Sequence, residues 1–124
     1  MSGKYLLDTN AIVSLLQGNS NLVNLVVRAE WVGISIISFI EFLAFPGLQD
    51  EDKSLFYQFI ERIEVIPLSN ADMRLVESVL SFRKNHKLKL PDAIIAATAL
   101  NKEAHLITAD KQLLSIKDIQ TIDI

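Results

Sequence analysis

The sequence predicts an α/β protein with a parallel β-sheet between two layers of helices. Short apolar segments of strand length alternate with longer segments of helical periodicity along all 124 residues. Such alternation is typical of a parallel sheet, because each strand needs a crossover, usually a helix, to reach the next one. The segment 90–100 is apolar on almost every side. A helix of this kind has to be buried all round, between a sheet and a second surface.

The predicted elements can be assigned in chain order from their periodicity and their boundary residues. Strands are expected where short apolar runs end at polar or turn residues, over 4–7, 33–37, 65–68, 106–108 and 119–122. Helices are expected where apolar residues recur at three- and four-residue spacing, over 11–17, 21–30, 39–45, 50–63, from Asn70 or Asp72 to about 85, over 92–100 and as a short turn over 111–115.

Composition indicates a single globular domain over residues 1–124. Hydrophobic residues make up 50 % of the chain and charged residues 22 %, which excludes a disordered protein. No apolar run approaches the ~18 residues needed to span a bilayer, and the N-terminus does not read as a signal peptide. The chain has no cysteine, so a disulfide framework is excluded and a cytoplasmic location is expected. The net charge of −3 argues against nucleic-acid binding through a general excess of positive charge.

Four acidic residues lie next to predicted strand or helix ends. Ligands of open α/β sheets bind outside the carboxyl ends of the strands. Asp8 follows the first strand, Glu41 lies a few residues after the second, and Asp110 lies two residues after the fourth. Asp92 opens the helix that leads into the fourth strand, and this position by itself suggests the opposite edge of the sheet.

Each acid also has a purely structural interpretation. Asp8 and Asp110 have the type and position of N-caps. Glu41 can close a capping box on Ser38, three residues before it. Asp92 can be a first-turn acid that stabilises its helix by about 0.3–1 kcal/mol through the helix dipole. Glu41 lies in an otherwise uncharged segment, however, and burying it without a partner would be costly.

Convergence of the four carboxylates would require a cation. Two carboxylates about 4 Å apart repel each other by up to ~4 kcal/mol at an effective dielectric near 20. The basic residues adjacent to the four motifs are Lys89 and Lys111, so a divalent metal is the expected neutraliser. Oxygen ligands suit Mg²⁺ or Mn²⁺. His86 and His105 lack the spacing of zinc ligands, and we interpret them as a helix-end and a strand-edge residue.

Four segments together resemble the PIN-domain ribonucleases, and among them the small VapC-like toxins of toxin–antitoxin pairs. The matching segments are Leu-Leu-Asp-Thr-Asn at 6–10, Ser-Phe-Ile-Glu at 38–41, Lys-Leu-Lys-Leu-Pro-Asp-Ala-Ile-Ile-Ala-Ala-Thr-Ala at 87–99 and Leu-Ile-Thr-Ala-Asp at 106–110. Their order and spacing fit over essentially the whole chain. The resemblance implies a PIN-domain fold, with a five-stranded parallel sheet of order 3-2-1-4-5 flanked by helices. It also implies that Asp8, Glu41, Asp92 and Asp110 share one acidic pocket.

The activity that the resemblance implies is metal-dependent hydrolysis of RNA by an endoribonuclease. The four acids would be catalytic residues that hold one or two Mg²⁺ or Mn²⁺ ions, and a water would attack the phosphodiester in line. The products would carry 5′-phosphate and 3′-hydroxyl ends. Thr9 and Thr108 are expected to orient the metal ligands through hydrogen bonds. Asn10 is expected either to line the pocket or to serve only as a helix-start residue.

RNA binding and two protein partners complete this interpretation. Phosphate contacts are expected from the basic run Arg83, Lys84, Lys87 and Lys89, whose alternative role is to complement a helix dipole. The resemblance implies a homodimer and an antitoxin whose helix packs in a groove. A block of aromatic residues is interpreted as core or, less favourably, as interface: Phe39, Phe42, Phe45, Phe56, Tyr57 and Phe59.

Other functions fit parts of the same pattern. A receiver-like signalling domain has similar size and binds Mg²⁺, but it would need an acid after the third strand, which ends at Pro67-Leu68-Ser69. A PIN-fold protein that binds RNA or a partner without cleavage, and a PIN nuclease in RNA processing, remain as alternatives to the toxin.

Overall fold

The computed structural model describes residues 3–124 and contains one five-stranded sheet. All strand pairs are parallel, and the order is β3-β2-β1-β4-β5. The strands are β1 Lys4–Leu7, β2 Trp31–Ser35, β3 Glu64–Ile66, β4 His105–Thr108 and β5 Thr121–Asp123. The helices are α1 Thr9–Leu16, α2 Ser20–Val27, α3 Ile36–Leu43, α4 Asp50–Ile60, α5 Met73–His86, α6 Leu90–Asn101 and α7 Lys111–Leu114. The fold class and the strand order expected from the sequence are confirmed.

Helices cover both faces of the sheet, and the two central strands contribute to a separate core on each face. Leu6 and Leu106 are fully buried in the core that contains α5, α6 and α7. The next residue of each strand, Leu7 or Ile107, is fully buried in the core that contains α1 and α3. This division follows from the period of two in a β-strand, which points successive side chains to opposite faces.

Helix α6 is buried along most of its length, as its composition predicted. Every residue from Ala93 to Ala99 is buried, and α6 packs against α5 on one side and against β2, β4 and α3 on others. Four alanines in this run permit close approach of the neighbouring backbones. The burial fixes α6, and therefore the position of its N-terminal turn relative to the sheet.

The aromatic block is divided between core and surface. Phe56 is fully buried and stacks on Phe42, with ring centroids 4.2 Å apart. Phe45 and Tyr57 are 63 % and 47 % exposed. The interpretation of the block as core therefore holds for part of it, while the other part forms surface.

One local expectation was wrong: Ser38 does not start a helix. Helix α3 begins at Ile36, and Ser35 is its N-cap, with the Ser35 hydroxyl accepting the N–H of Ile37 at 3.1 Å. Ser38 lies inside the helix, fully buried, so Glu41 cannot close a capping box on it. The strand β2 ends two residues earlier than expected, because the apolar Ile36 and Ile37 satisfy either a strand or the first turn of an apolar helix.

Within residues 3–124, no helix has both the length and the apolar character needed to cross a membrane.

Candidate active site

Asp8 is placed at the centre of the carboxyl edge of the sheet. It directly follows β1, the middle strand, and its backbone N–H donates to Ile107 of the neighbouring β4 at 3.0 Å. Asp8 is the N-cap of α1, and its Oδ1 accepts the N–H of Thr9 at 2.8 Å. Its Oδ2 accepts the hydroxyl of Thr108, at the end of β4, at 2.7 Å. These bonds fix a carboxylate that is only 6 % exposed.

Burial raises the pKa of the Asp8 carboxyl above its ordinary value. The hydrogen bonds from Thr108 and Thr9 oppose this effect, because they stabilise the ionised form. The charges of Glu41 and Asp110 raise the pKa further, which shows that both carboxylates lie within electrostatic range of Asp8.

Glu41 reaches the same edge from α3, the helix that follows β2. Its Oε1 accepts the hydroxyl of Thr9 at 2.7 Å, so Thr9 contacts Asp8 through its backbone and Glu41 through its side chain. Glu41 is exposed, and so is the adjacent Ile40. The expected cost of burying Glu41 therefore does not arise, because Ile40 and Glu41, in the second turn of α3, face solvent.

Asp110 joins the site from the connection between β4 and α7. Its Oδ1 accepts the N–H groups of Gln112 and Leu113 at 2.8 and 3.2 Å, so Asp110 is the N-cap of α7, as its structural interpretation proposed. Its backbone N–H donates to the Thr108 hydroxyl at 3.0 Å. Thr108 thus connects Asp8 to the Asp110 segment. The cap leaves Asp110 Oδ2 available for other contacts.

Asp92 lies at the carboxyl edge of the sheet as well, and the inference of the opposite edge from its position in the chain was wrong. Helix α6 ends at Asn101, and β4 begins at His105. In a parallel crossover the helix runs back against the strands, so its end meets the start of the next strand and its beginning lies at the carboxyl edge. Asp92 is in the first turn of α6.

Asp92 lies within electrostatic range of the other three acids. Desolvation of the half-buried carboxyl raises this pKa most, and the charges of Asp110, Asp8 and Glu41 raise it further. Lys89 lowers it, though by less than the causes that raise it. Residues distant in sequence therefore form one electrostatic cluster, in which neighbouring negative charges disfavour the ionisation of Asp8 and Asp92.

The donor set suits a hard divalent cation, although the present side-chain positions do not form a closed site. Within residues 3–124, the close contacts between basic and acidic side chains are His86–Asp118 at 3.6 Å and Lys102–Glu64 at 3.5 Å, and neither involves the acidic cluster. The cluster consists of carboxylate oxygens, which are the ligands that Mg²⁺ and Mn²⁺ prefer. Over the same residues, however, no three acidic or histidine side chains lie close enough together to hold one ion.

Comparison with known proteins assigns the chain to a family. Residues 5–119 match the PIN domain family. The chain belongs to the PIN domain family. No curated protein matches it.

Solved structures with the same fold as this PIN domain include several toxin–antitoxin assemblies. A toxin–antitoxin complex from Klebsiella pneumoniae is 27 % identical, with a TM-score of 0.76 over 95 % of each chain. VapBC2 from Rickettsia felis, bound to a DNA fragment from its promoter, is 20 % identical, with a TM-score of 0.80 over 98 % of each chain. VapBC-1 from nontypeable Haemophilus influenzae is 23 % identical, with a TM-score of 0.77 over 97 % of each chain.

The predicted basic run connects α5 to α6 in the PIN domain. Arg83 and Lys84 lie in the last turn of α5, Lys87 is its C-cap in the left-handed conformation with φ 54°, and Lys89 is the N-cap of α6. All four side chains are exposed. The effect of Lys89 on the pKa of Asp92 places at least this end of the run beside the acidic cluster.

An apolar groove not located from the sequence runs along α1 and α4 of the PIN domain. It consists of a cavity of about 260 Å³, which includes Thr9, Val13 and Phe45, and one of about 790 Å³, which includes Val27. Leu16 and Leu55 line both cavities, and we call the whole the α1–α4 groove. Through Thr9, the hydrogen-bond donor to Glu41, the groove reaches the acidic cluster.

Asn10 and Ser38 have surroundings that sequence reasoning did not assign. The Asn10 Oδ1 accepts the N–H of Ala109 at 3.0 Å, and its amide faces Asp8 Oδ2 at 3.5 Å. Ser38 Oγ is buried without a hydrogen-bond partner among residues 3–124. The position of Asn10 two residues after Asp8 was a usable signal. The helical register that buries Ser38 could not be read from residues 36–45, because almost every other position of this segment is apolar.

Proposed function

We propose that this PIN domain is a metal-dependent endoribonuclease and the toxin of a toxin–antitoxin pair. The observation that carries the proposal is the electrostatic cluster of Asp8, Glu41, Asp92 and Asp110 at the carboxyl edge of the sheet. Glu41 and Asp110 raise the pKa of both Asp8 and Asp92, and no ion pair within residues 3–124 involves these acids. A divalent metal would relieve the repulsion among the carboxylates.

In this proposal Asp8 is the fixed ligand and the other three carboxylates adjust to it. Thr108 and Thr9 hold Asp8 in one orientation, and Thr9 also restrains Glu41. Glu41 is exposed and Asp92 half-buried, so small side-chain rotations can bring both toward Asp8. Asp110 would contribute Oδ2, since its Oδ1 caps α7. A bound Mg²⁺ or Mn²⁺ would supply charge neutralisation at the scissile phosphate and activation of a water.

The RNA would approach along the basic run. Exposed Arg83, Lys84, Lys87 and Lys89 can contact phosphates beside a cluster that by itself repels RNA. Attack of the water oxygen on phosphorus, with departure of the 3′-oxygen and its protonation, leaves 5′-phosphate and 3′-hydroxyl ends. Because the proposed substrate is cellular RNA, the activity would take place in the cytoplasm.

A protein partner is supported by the structural neighbours and by the α1–α4 groove. The neighbours from Klebsiella, Rickettsia and Haemophilus are toxin–antitoxin assemblies. Val27, Phe45 and Leu55 expose 77, 63 and 41 % of their surface in or beside the groove, which suits the apolar face of an antitoxin helix. Further exposed apolar side chains on α3, α5 and α6 would suit a homodimer: Ile40, Met73, Leu80, Leu90 and Leu100.

The alternative is a PIN-fold protein that binds RNA or a partner without cleavage. It is favoured by one observation, namely that no three potential ligands in residues 3–124 lie close enough to share an ion. The two functions differ in their response to metal, because only the nuclease requires the carboxylates to act together.

The test is cleavage of total cellular RNA by the purified protein with Mg²⁺, Mn²⁺ or EDTA. We expect discrete fragments that require the metal and that disappear in D8N and D92N. The matched control is D118N, which changes an exposed aspartate paired with His86 outside the cluster and should cleave normally. Equal behaviour of wild type, D8N and D92N with every metal would reject the nuclease and leave the binding function.

A further inference from the structure

We infer that Asn10 is a positioning residue, whose carboxamide fastens the segment that carries Asp110 to the segment that carries Asp8. The fastening itself is a property of the fold, and its role in metal binding rests on the proposed function. The inference goes beyond the four acids and the two threonines, because it assigns a separate task to a residue that contacts neither Asp92 nor Asp110 directly.

The carboxamide of Asn10 has complementary partners on both sides. Its Oδ1 accepts the backbone N–H of Ala109 at 3.0 Å, across a sequence separation of 99 residues. Its Nδ2 donates toward Asp8 Oδ2 at 3.5 Å, a longer and weaker contact. The carbonyl oxygen faces a donor and the amide faces an acceptor, so both contacts agree on one orientation of the group. A residue that only started α1 would have no contact with the β4–α7 connection.

The Ala109 peptide is the point at which Asp110 can be controlled. Thr108 is fully buried at the end of β4, whereas Ala109 is exposed. Asp110 follows at once, and its backbone N–H is tied back to Thr108. Without Asn10, the exposed Ala109 N–H would form its hydrogen bond with water. The bond to Asn10 therefore restrains this peptide.

Electrostatics explain why such a fastening is useful. Asp110 and Asp8 carry charges of the same sign when both are ionised, so their side chains repel each other. Without a restraint, the exposed connection could move Asp110 away from Asp8. Asn10 counters this movement with a neutral group, which adds no further negative charge to the cluster.

The experiment compares N10A with N10D and with N19A in the full chain. Asn19 is a matched control, because its side-chain oxygen also accepts a backbone N–H, that of Leu22 at 3.2 Å, but at the cap of α2. N10D keeps an oxygen that can accept the Ala109 N–H. The readouts are hydrogen exchange at the Ala109 amide, the Kd for Mn²⁺ measured by electron paramagnetic resonance of the free ion, and RNA cleavage.

We expect N10A to accelerate exchange at Ala109 by at least about tenfold and to raise the Kd for Mn²⁺ about 10-fold, the lower end of the effect of removing an outer-sphere partner of a metal site. N19A should change neither readout. N10D should restore slow exchange at Ala109. If the wild type binds Mn²⁺, the inference is overturned when N10A leaves either the exchange rate at Ala109 or the Kd for Mn²⁺ unchanged. Absence of Mn²⁺ binding and of cleavage in the wild type itself would instead refute the proposed function, while faster exchange in N10A would still support the fastening.

Discussion

Replacing Thr108 by valine removes one hydroxyl on which two hydrogen bonds of the acidic cluster depend. Thr108 Oγ1 donates to Asp8 Oδ2 at 2.7 Å and accepts the N–H of Asp110 at 3.0 Å. A hydrogen bond to a charged group contributes about 1.5–3 kcal/mol and one between neutral groups about 0.5–1.5 kcal/mol. Valine keeps the shape of the side chain, so T108V should lower the unfolding free energy at pH 7 by about 2–4 kcal/mol.

The destabilisation should depend on pH, because the Thr108 hydroxyl stabilises the ionised form of Asp8 and so lowers its pKa. T108V raises this pKa further. The destabilisation is therefore largest where Asp8 is ionised in the folded protein, and it becomes smaller as the pH falls and Asp8 takes up its proton.

The assay is urea unfolding at pH 8 and at pH 5, with T98V as the matched control. Thr98 is as deeply buried, and its hydroxyl donates at 2.7 Å to the carbonyl of Ile94 within α6. That acceptor is neutral and belongs to the helix ladder, so T98V should lower the unfolding free energy by less than about 1 kcal/mol. Equal destabilisation by T108V and T98V, or an effect of T108V that is independent of pH, would refute the reasoning about Asp8.

Three further predictions address the surroundings of the cluster. D92N should raise the melting temperature at neutral pH. The folded protein holds the Asp92 proton more tightly than the unfolded chain does, so the stability of the wild type falls as the pH rises from about 4 through the folded-state pKa. If the stability gain of D92N over the wild type does not grow over this pH range, this reasoning is contradicted. Replacing the four residues of the basic run by glutamine should weaken RNA binding, measured by fluorescence anisotropy. The slope of the logarithm of the binding constant against the logarithm of the salt concentration should decrease by about 0.7 for each phosphate that the run no longer neutralises. An unchanged slope would show that the run does not contact the RNA. L55D should abolish co-purification with an antitoxin. Y57D changes a similarly exposed residue of α4 that lies outside the groove, and it should not affect co-purification. If both variants retain the antitoxin equally, the α1–α4 groove is not its binding site.

The fold was predictable because its signals are local and repeated. Alternating strand and helix segments indicated a parallel sheet, and the apolar run at 90–100 indicated the buried helix α6. The strand order came from the resemblance of four motifs to the PIN family, since periodicity alone does not order strands. The boundary between β2 and α3 was misplaced, because the run contains two serines that can cap a helix. Ser38, with Glu41 three residues later, has the spacing of a capping box, whereas Ser35 is the cap that forms.

The positions of the acids at strand and helix ends could be read from the sequence, but their geometry could not, and their assignment as metal ligands stays a prediction. The type and position of Asp8 and Asp110 indicated caps, and both are caps as well as members of the cluster. The edge assigned to Asp92 was wrong, because a crossover helix runs antiparallel to the strands. The first turn of α6 therefore lies at the carboxyl edge, although α6 leads into the start of β4. The Asn10 bond to Ala109 and the groove beside Leu55 join segments distant in the chain, so no local pattern could reveal them.

The central claim is that four carboxylates of this chain hold one divalent metal site. Anomalous diffraction from crystals soaked in Mn²⁺ tests it most directly, because it locates the ion without reference to activity. We predict a peak at about 2.1–2.3 Å from an oxygen of Asp8, slightly beyond the Mg²⁺ range, with Asp92 and at least one of Glu41 and Asp110 turned toward it. The absence of a peak at the carboxyl edge of the sheet in fully soaked crystals, or a peak held by other residues, would contradict the claim.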